Sequence, residues 1–344
     1  MSDSYKPPLV YEVTNKTKIE LSIFFAGDTL LGDAAEKLIK QKGYLFPFRY
    51  LNAIYQKADV RTINLEAPIC DKAEKLKAEK DYKYKMSSEV LSAFTRKKIN
   101  IFHLANNHTL DYGKDGLLET IELLEDREKV FLGAGRNLNE ATRGVIVKKG
   151  EIKVGLLNYM SYRKSYQEKY NYFASNQNCG VAAFSEKRVK EDINRLKELG
   201  ANHIVVSIHW GINYKPVTKK QKKQAKIIAD AGASVIIGHG SHQFQKISQI
   251  GSVPVFYSLG NFIFTTPGRS PLTYGFPVTL HFNENSLDHI EIWPITTNNR
   301  IIKFQPRHLS GSKASDAFRD LFEQSDIENL KIEVTNEKAL IYFK

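Results

Sequence analysis

Cysteine is nearly missing from this chain. Cys70 and Cys179 are the only two in 344 residues, far apart and outside any CxxC pair. That excludes a disulfide-stapled scaffold and a zinc knuckle. Long apolar runs are missing too, and none approaches the roughly 18 residues of a membrane-spanning helix. The opening residues MSDSYKPPLVYEV lack the basic start and continuous apolar core of a secretory signal, so a cytoplasmic protein is the simplest expectation. No internal repeat or low-complexity linker interrupts the chain. No aromatic-studded RNA motif or recognition-helix pattern accompanies its basic residues, which argues against nucleic acid as a partner.

What remains is an ordinary globular composition, 42% hydrophobic and 26% charged, with length enough for one to three domains. The formal charge is +12, from 50 Lys and Arg against 38 Asp and Glu. It concentrates in TKKQKKQAK (218–226) and DKAEKLKAEKDYKYK (71–85). These runs read either as a solvated helix face and a lysine-rich loop, or as an electrostatic attractor for an anionic substrate.

Short β-branched runs alternate with helical patterns. KIELSIFFAGD, VRTINLE, INIFHLA, HIVVSIHWG and SVIIGHG read as strands. Between them KDGLLETIELLEDRE and SEKRVKEDINRLKELG each keep their apolar residues on one helical face, as Leu117, Leu118, Ile121 and Leu124 do in the first. GVIVKKGEIKVGLLNY reads as a hairpin turning at KKGE. KISQIGSVPVFYSLGNFIF and the segments after it read as antiparallel strands. The tail offers one helix, ASDAFRDLFEQ, and a β-rich end. Alternation followed by hairpins predicts a layered α/β sandwich, with sheets flanked by helices. The segment 161–180 is long, aromatic and polar, as functional lids and disordered loops are.

The strand ends carry the chemistry. Asp28 closes the first strand, Asn64 and Glu66 the second, and Asn106, Asn107 and His108 the third. His209 closes a fourth, and His239 and His242 a fifth. In α/β sheets ligands gather beyond the carboxyl ends of strands. Each residue also has a plain structural role available: Asp28 as a helix cap, the asparagines as turn residues, His209 as a core histidine. Burying so many titratable groups together is costly unless they pair or share a cation. Carboxylate, amide and imidazole donors suit Mn²⁺, Zn²⁺ or Fe²⁺ better than a thiolate site or an all-oxygen calcium site.

FAGDTLLGD, INLEAPI, LANNHTLDYGKDGLLETI, GAGRNLNEA, IHWGINY, GHGSHQ and VFYSLGNFIF resemble, in order and context, the CapA or poly-γ-glutamate capsule-synthesis family, a branch of the calcineurin-like metallophosphoesterases. The resemblance covers about residues 18–265 and implies a main domain over 18–270, with a β-rich extension over 271–344 packed on it. It implies a four-layer α/β/β/α sandwich with a centre for one or two divalent ions at one sheet edge. Asp28, Glu66, Asn107, His209, His239 and His242 would then be metal ligands, with Glu66 in a bridging position. His108 would be the acid, oriented by Asp111. Two motifs depart from the family pattern: GHGSH stands for GHHPH, and Asn213 stands where HWGxE has glutamate.

The expected activity is metal-dependent hydrolysis of a phosphoester or a γ-glutamyl or amide bond in an anionic small molecule, polymer or peptide. Asn106, Arg163 and Lys164 are the expected substrate contacts. Two other readings stay open at this stage. One is an accessory binding component of a capsule-synthesis assembly. The other is a peptide-modifying epimerase using the same cleft without metal.

Overall fold

The computed structural model describes residues 6–14, 20–75, 80, 82–266, 274–327 and 330–343. The expected domain limits at 18, 270 and 271, and part of the lysine-rich 71–85 segment, lie outside the described residues.

Two sheets form the centre of the molecule. The first contains four parallel neighbours, Leu21–Leu30, Val60–Leu65, Ile101–His103 and Val130–Leu132. Antiparallel strands Val278–Phe282, Leu287–Ile292, Ala339–Tyr342 and Lys331–Val334 extend it from the free side of Leu21–Leu30. The second sheet is built on Ile152–Ser161, His203–His209, Val235–His239 and Val253–Leu259, again parallel. The KKGE hairpin brings Val145–Lys149 against Ile152–Ser161, and Phe244–Ile250 pairs antiparallel with Val253–Leu259.

Successive side chains of a strand point to opposite faces, and that period sorts the core. Ile23 and Phe25 enter the space between the sheets, where they meet Val154, Leu156, Val205 and Ile237. Phe24, between them in sequence, packs instead with Phe94, Leu117 and Ile121. Those residues come from the helices Val90–Arg96 and Gly113–Glu125. On the second sheet Leu157, Tyr159, Ile204 and Val206 pack against Val189, Ile193, Leu196, Ala225 and Ile228. These belong to helices Glu186–Glu198 and Lys219–Asp230. Ser185 caps the former through Arg188 N, and Thr218 with Gln221 forms a capping box on the latter. The parallel strands are therefore buried on both faces, and the layers there run helix, sheet, sheet, helix. This is the expected four-layer α/β/β/α sandwich.

Two local readings change. The 161–180 segment is not all loop: it holds a helix, Lys164–Tyr170, stopped by Asn171 in the left-handed region (φ 46°). NFIF does not continue the antiparallel set. Asn261–Phe264 leaves the second sheet and pairs parallel with Leu21–Leu30 in the first, with Asn261 opposite Asp28. Gly260 (φ 72°) makes the turn between the sheets. Gly27 permits the contact, since a Cβ there would lie 1.9 Å from the Gly260 carbonyl oxygen. Backbone that close leaves room for no side chain.

Gly27→Ala should therefore cost on the order of 3 kcal/mol by overpacking against rigid backbone. Urea denaturation checks this: an unchanged midpoint would mean the two sheets are not held together at this point.

Candidate functional site

Register brings the strand ends together. Asp28 lies opposite Asn64 in the first sheet, and His209 opposite His239 in the second. All four are buried. Asp28 accepts from Asn64 Nδ2 at 2.8 Å and from Gly240 N at 3.3 Å. His239 Nδ1 stands 3.6 Å and His242 Nδ1 3.3 Å from its carboxylate. The other face of His242 turns to Glu66, with Nε2 3.6 Å from Oε1, and His209 Nε2 is 3.9 Å from the same oxygen. One ligand atom each from Asp28, Glu66 and His242 lies within 4.8 Å of the other two. His242 reaches this position in a left-handed backbone conformation (φ 56°), uncommon for a residue with a Cβ. Its ring packs on Phe264, and Nδ1 also lies 3.2 Å from Asn261 Oδ1.

The electrostatics of the two carboxyls conflict. Burial pushes both upward, but the His239 and His242 contacts override it at Asp28 and hold that carboxyl well below its ordinary value. Glu66 is driven well above its ordinary value by burial and by the Asp28 charge. A cation between them would relieve that conflict. Several buried atoms here also lack a hydrogen-bond partner: Glu66 Oε1, His209 Nδ1, His239 Nδ1 and Asn107 Oδ1. Buried polar atoms are rarely left so, and an ion is one of the few explanations. Burial keeps the His209 imidazole well below its ordinary pKa, hence neutral and able to ligate. Two carboxylates with three imidazoles fit a borderline transition-metal ion. Gly240 matters to this packing, because a Cβ there, at φ 97°, would fall 2.5 Å from His209 Nε2.

Beside this cluster stands His108. Its Nδ1 lies 2.6 Å from Asp111 Oδ2, and its ring packs 4.5 Å from Tyr84 between centroids. Asp111 also accepts from Tyr84 N at 2.7 Å and from the Lys80 ammonium. Lys80 donates further to the Asn107 carbonyl. Burial drives His108 down to about 4, against the pull of Asp111. Asn106 is buried behind this pair. Its amide donates to Leu65 O at 2.8 Å, while its Oδ1 accepts from His108 N and Thr109 Oγ1, both at 3.1 Å.

Two cavities open on His108, of about 530 and 600 Å³, and both are also lined by Tyr82 and Asn213. The first is basic: Lys80, Arg163 and Lys220 line it with Asn107, Ser161 and Gln224. Arg163 donates to Gly211 O at 2.9 Å and lies over the Tyr166 ring. Lys164, by contrast, is 80% exposed and pairs with Glu168. The second cavity is reached by His242, Asp33, Tyr84 and Arg300.

Sequence reasoning passed over three participants. Asn64 stands out in sequence only as a strand-end residue, although it bridges Asp28 and Asn106, accepting from the Asn106 amide at 3.2 Å. Lys80 is one lysine in a lysine-rich run and nothing in its spacing marks it. Lys220 lies in a run that reads equally as a solvated face or as an attractor for anions, and its Nζ reaches across to Tyr162 O at 2.8 Å. Helical spacing from the capping box, which buries Gln221 and Gln224, was the available signal for the inward face of that helix.

The PGA biosynthesis protein CapA of Bacillus subtilis is 27% identical over 281 residues, covering 80% of this chain and 71% of that protein. The capsule biosynthesis protein CapA of Bacillus anthracis is 26% identical over 293 residues, covering 83% and 70%. Among solved structures, the calcineurin-like phosphoesterase YfkN of Bacillus subtilis superposes at a TM-score of 0.43 with 15% identity, over 78% of this chain and 87% of that one. Residues 22–266 match the family described as bacterial capsule synthesis protein PGA_cap, and by that match, which spans most of its length, the chain belongs to that family.

Proposed function

We propose that this chain is a metal-dependent hydrolase that cleaves a phosphoester or a γ-glutamyl or amide bond in an anionic substrate, in capsule- or poly-γ-glutamate-related metabolism. The observation that carries the reading is the cluster of Asp28, Glu66 and His242, with ligand atoms within 4.8 Å of one another, next to the His108–Asp111 pair. Asp28, Glu66, His209, His239 and His242 would hold one or two ions of Mn²⁺, Zn²⁺ or Fe²⁺, with Asn107 contributing its unpartnered Oδ1. Such an ion supplies Lewis acidity and lowers the pKa of water towards ~7.

The protein's own groups do the rest. Asp111 fixes the His108 ring through Nδ1, which leaves Nε2 as the nitrogen available to a reacting group. Burial keeps that imidazole neutral in the free protein. An anionic group bound beside it raises its pKa, so the proton arrives with the substrate and is there for the leaving group. Asn106 holds the turn behind His108 and acts by positioning it. Lys80, Arg163 and Lys220 give the first cavity its attraction for negative charge. Because His108 lines both cavities, the substrate extends to either side of the bond that breaks.

The test is turnover of phosphomonoesters, phosphodiesters and γ-glutamyl peptides by metal-loaded protein. Asp28→Ala and His209→Ala should abolish it, and His108→Ala should lower kcat by roughly 10²- to 10⁴-fold. Full activity in metal-free protein would overturn the reading, and tight binding of poly-γ-glutamate without turnover would assign the chain to an accessory role instead.

Lys220→Ala should raise KM about tenfold or more while leaving kcat nearly unchanged, since it removes one charged contact away from the reacting atoms. Equal losses in kcat and kcat/KM would contradict that placement.

Gly240→Ala should displace His209 and weaken metal binding on the order of ten- to a hundredfold, as loss of a ligand's support does. Calorimetric metal titration checks this, and unaltered affinity would remove His209 from the ligand set.

A further inference from the structure

The antiparallel strands added to the first sheet carry a second group of ligands that the cleft does not use. Register aligns Ser22, His281, His289 and Tyr342 in one row across four strands. Their neighbours Leu280, Ile290 and Ile341 enter the core between the sheets, so this row occupies the outer face. His281 and His289 are directly opposed, with ring centroids 4.1 Å apart and planes 11° from parallel. Glu291 is two residues beyond His289 on the same face, with Oε2 3.6 Å from His281 Nε2. Glu20 Oε1 lies 3.8 Å from His281 Nδ1.

One ligand atom each from His281, His289 and Glu291 lies within 4.8 Å of the other two. The His281 side chain is 12% exposed, and neither of its ring nitrogens has a hydrogen-bond partner. An imidazole buried to that degree and unsatisfied at both nitrogens calls for an explanation, and an ion supplies one. The surroundings are those of supported metal ligands. His289 Nδ1 is engaged by Asp288 Oδ2 at 2.7 Å, which leaves Nε2 for coordination. Lys338 takes Glu291 Oε1 and so orients the other oxygen. The ladder shifts register between His281 and Phe282, and such bulges re-aim side chains.

We propose that His281, His289 and Glu291 form a second divalent-metal site, separate from the cleft, which takes Zn²⁺, Ni²⁺ or Cu²⁺. Two imidazoles and one carboxylate are the donors these ions favour over Mg²⁺ or Ca²⁺. The His281 row starts at Ser22, six residues before Asp28 on the same strand, which is roughly 20 Å at ~3.3 Å per residue. The ion there takes no part in the reaction. It cross-links Val278–Phe282 to Leu287–Ile292 and stabilises the folded chain, because only that state assembles the ligands.

The test uses the tag-free full chain with Asp28→Ala and His242→Ala, which take two of the three clustered ligands from the cleft, and titrates it with Ni²⁺ and Cu²⁺. The expected result is one bound equivalent, imidazole nitrogen hyperfine coupling in the Cu²⁺ electron paramagnetic resonance spectrum, and a higher melting temperature with metal. Adding His281→Ala or His289→Ala should remove all three, with circular dichroism confirming the fold. The milder His289→Gln covers the case in which an alanine variant misfolds. No bound ion in the protein with the two cleft substitutions, or undiminished binding after any of the His281 or His289 changes, would overturn the proposal.

Discussion

One backbone contact governs the arrangement of this molecule: the Asp28 N–H donates at 3.0 Å to Gly260 O, where two glycines let the sheets touch. A strand from the second sheet's side thereby continues in the first, with Asn261 opposite Asp28. The carboxyl edges of both sheets are pinned beside each other, and everything chemical follows from that. Asp28 and Glu66 come from one sheet, His209, His239 and His242 from the other or its exit loop, and none could meet if the sheets packed with a different offset. The left-handed conformation of His242 is held in place by the same junction, since its ring rests on Phe264 and faces Asn261.

The junction also creates an electrostatic problem. Two buried carboxyls face each other across imidazoles that are themselves buried, and protein partners alone satisfy only some of the atoms involved. A folded protein tolerates such a cluster where function compensates for it. Under the proposed function the adjacent cleft gives it a use: a neutral His108 held by Asp111, flanked by a basic lobe lined by Lys80, Arg163 and Lys220. In the proposed reaction, attraction of an anion and protonation of His108 become one event, because the negative charge of a bound substrate also raises the imidazole pKa.

Much of this was legible in the sequence because it depends on position along strands. Apolar runs ending in Asp28, Glu66, His209 and His239 announce where a parallel sheet delivers its side chains, and helix periodicity announced the outer layers. The crossing of Asn261–Phe264 between sheets was not legible, since a β-rich run carries no mark of which sheet it joins. Asn106 was expected at the substrate, but an asparagine beside another asparagine does not show which one turns inward. Arg163 and Lys164 differ by one position, yet a helix start between them sends Arg163 to the cleft and Lys164 to solvent. Lys80 reaches Asp111 from a lysine-rich run whose members look alike in sequence, and His281 meets His289 only through a register that no local pattern states.

The proposed hydrolysis depends on a cation held between Asp28, Glu66 and His242. Anomalous difference density from crystals grown with Mn²⁺, Zn²⁺ or Fe²⁺, recorded at the absorption edge of each metal, tests that claim most directly. The predicted result is a peak bounded by those three side chains that disappears in His242→Ala crystals. Crystals that show no peak there with any of the three metals, while the side chains keep their positions, would contradict it.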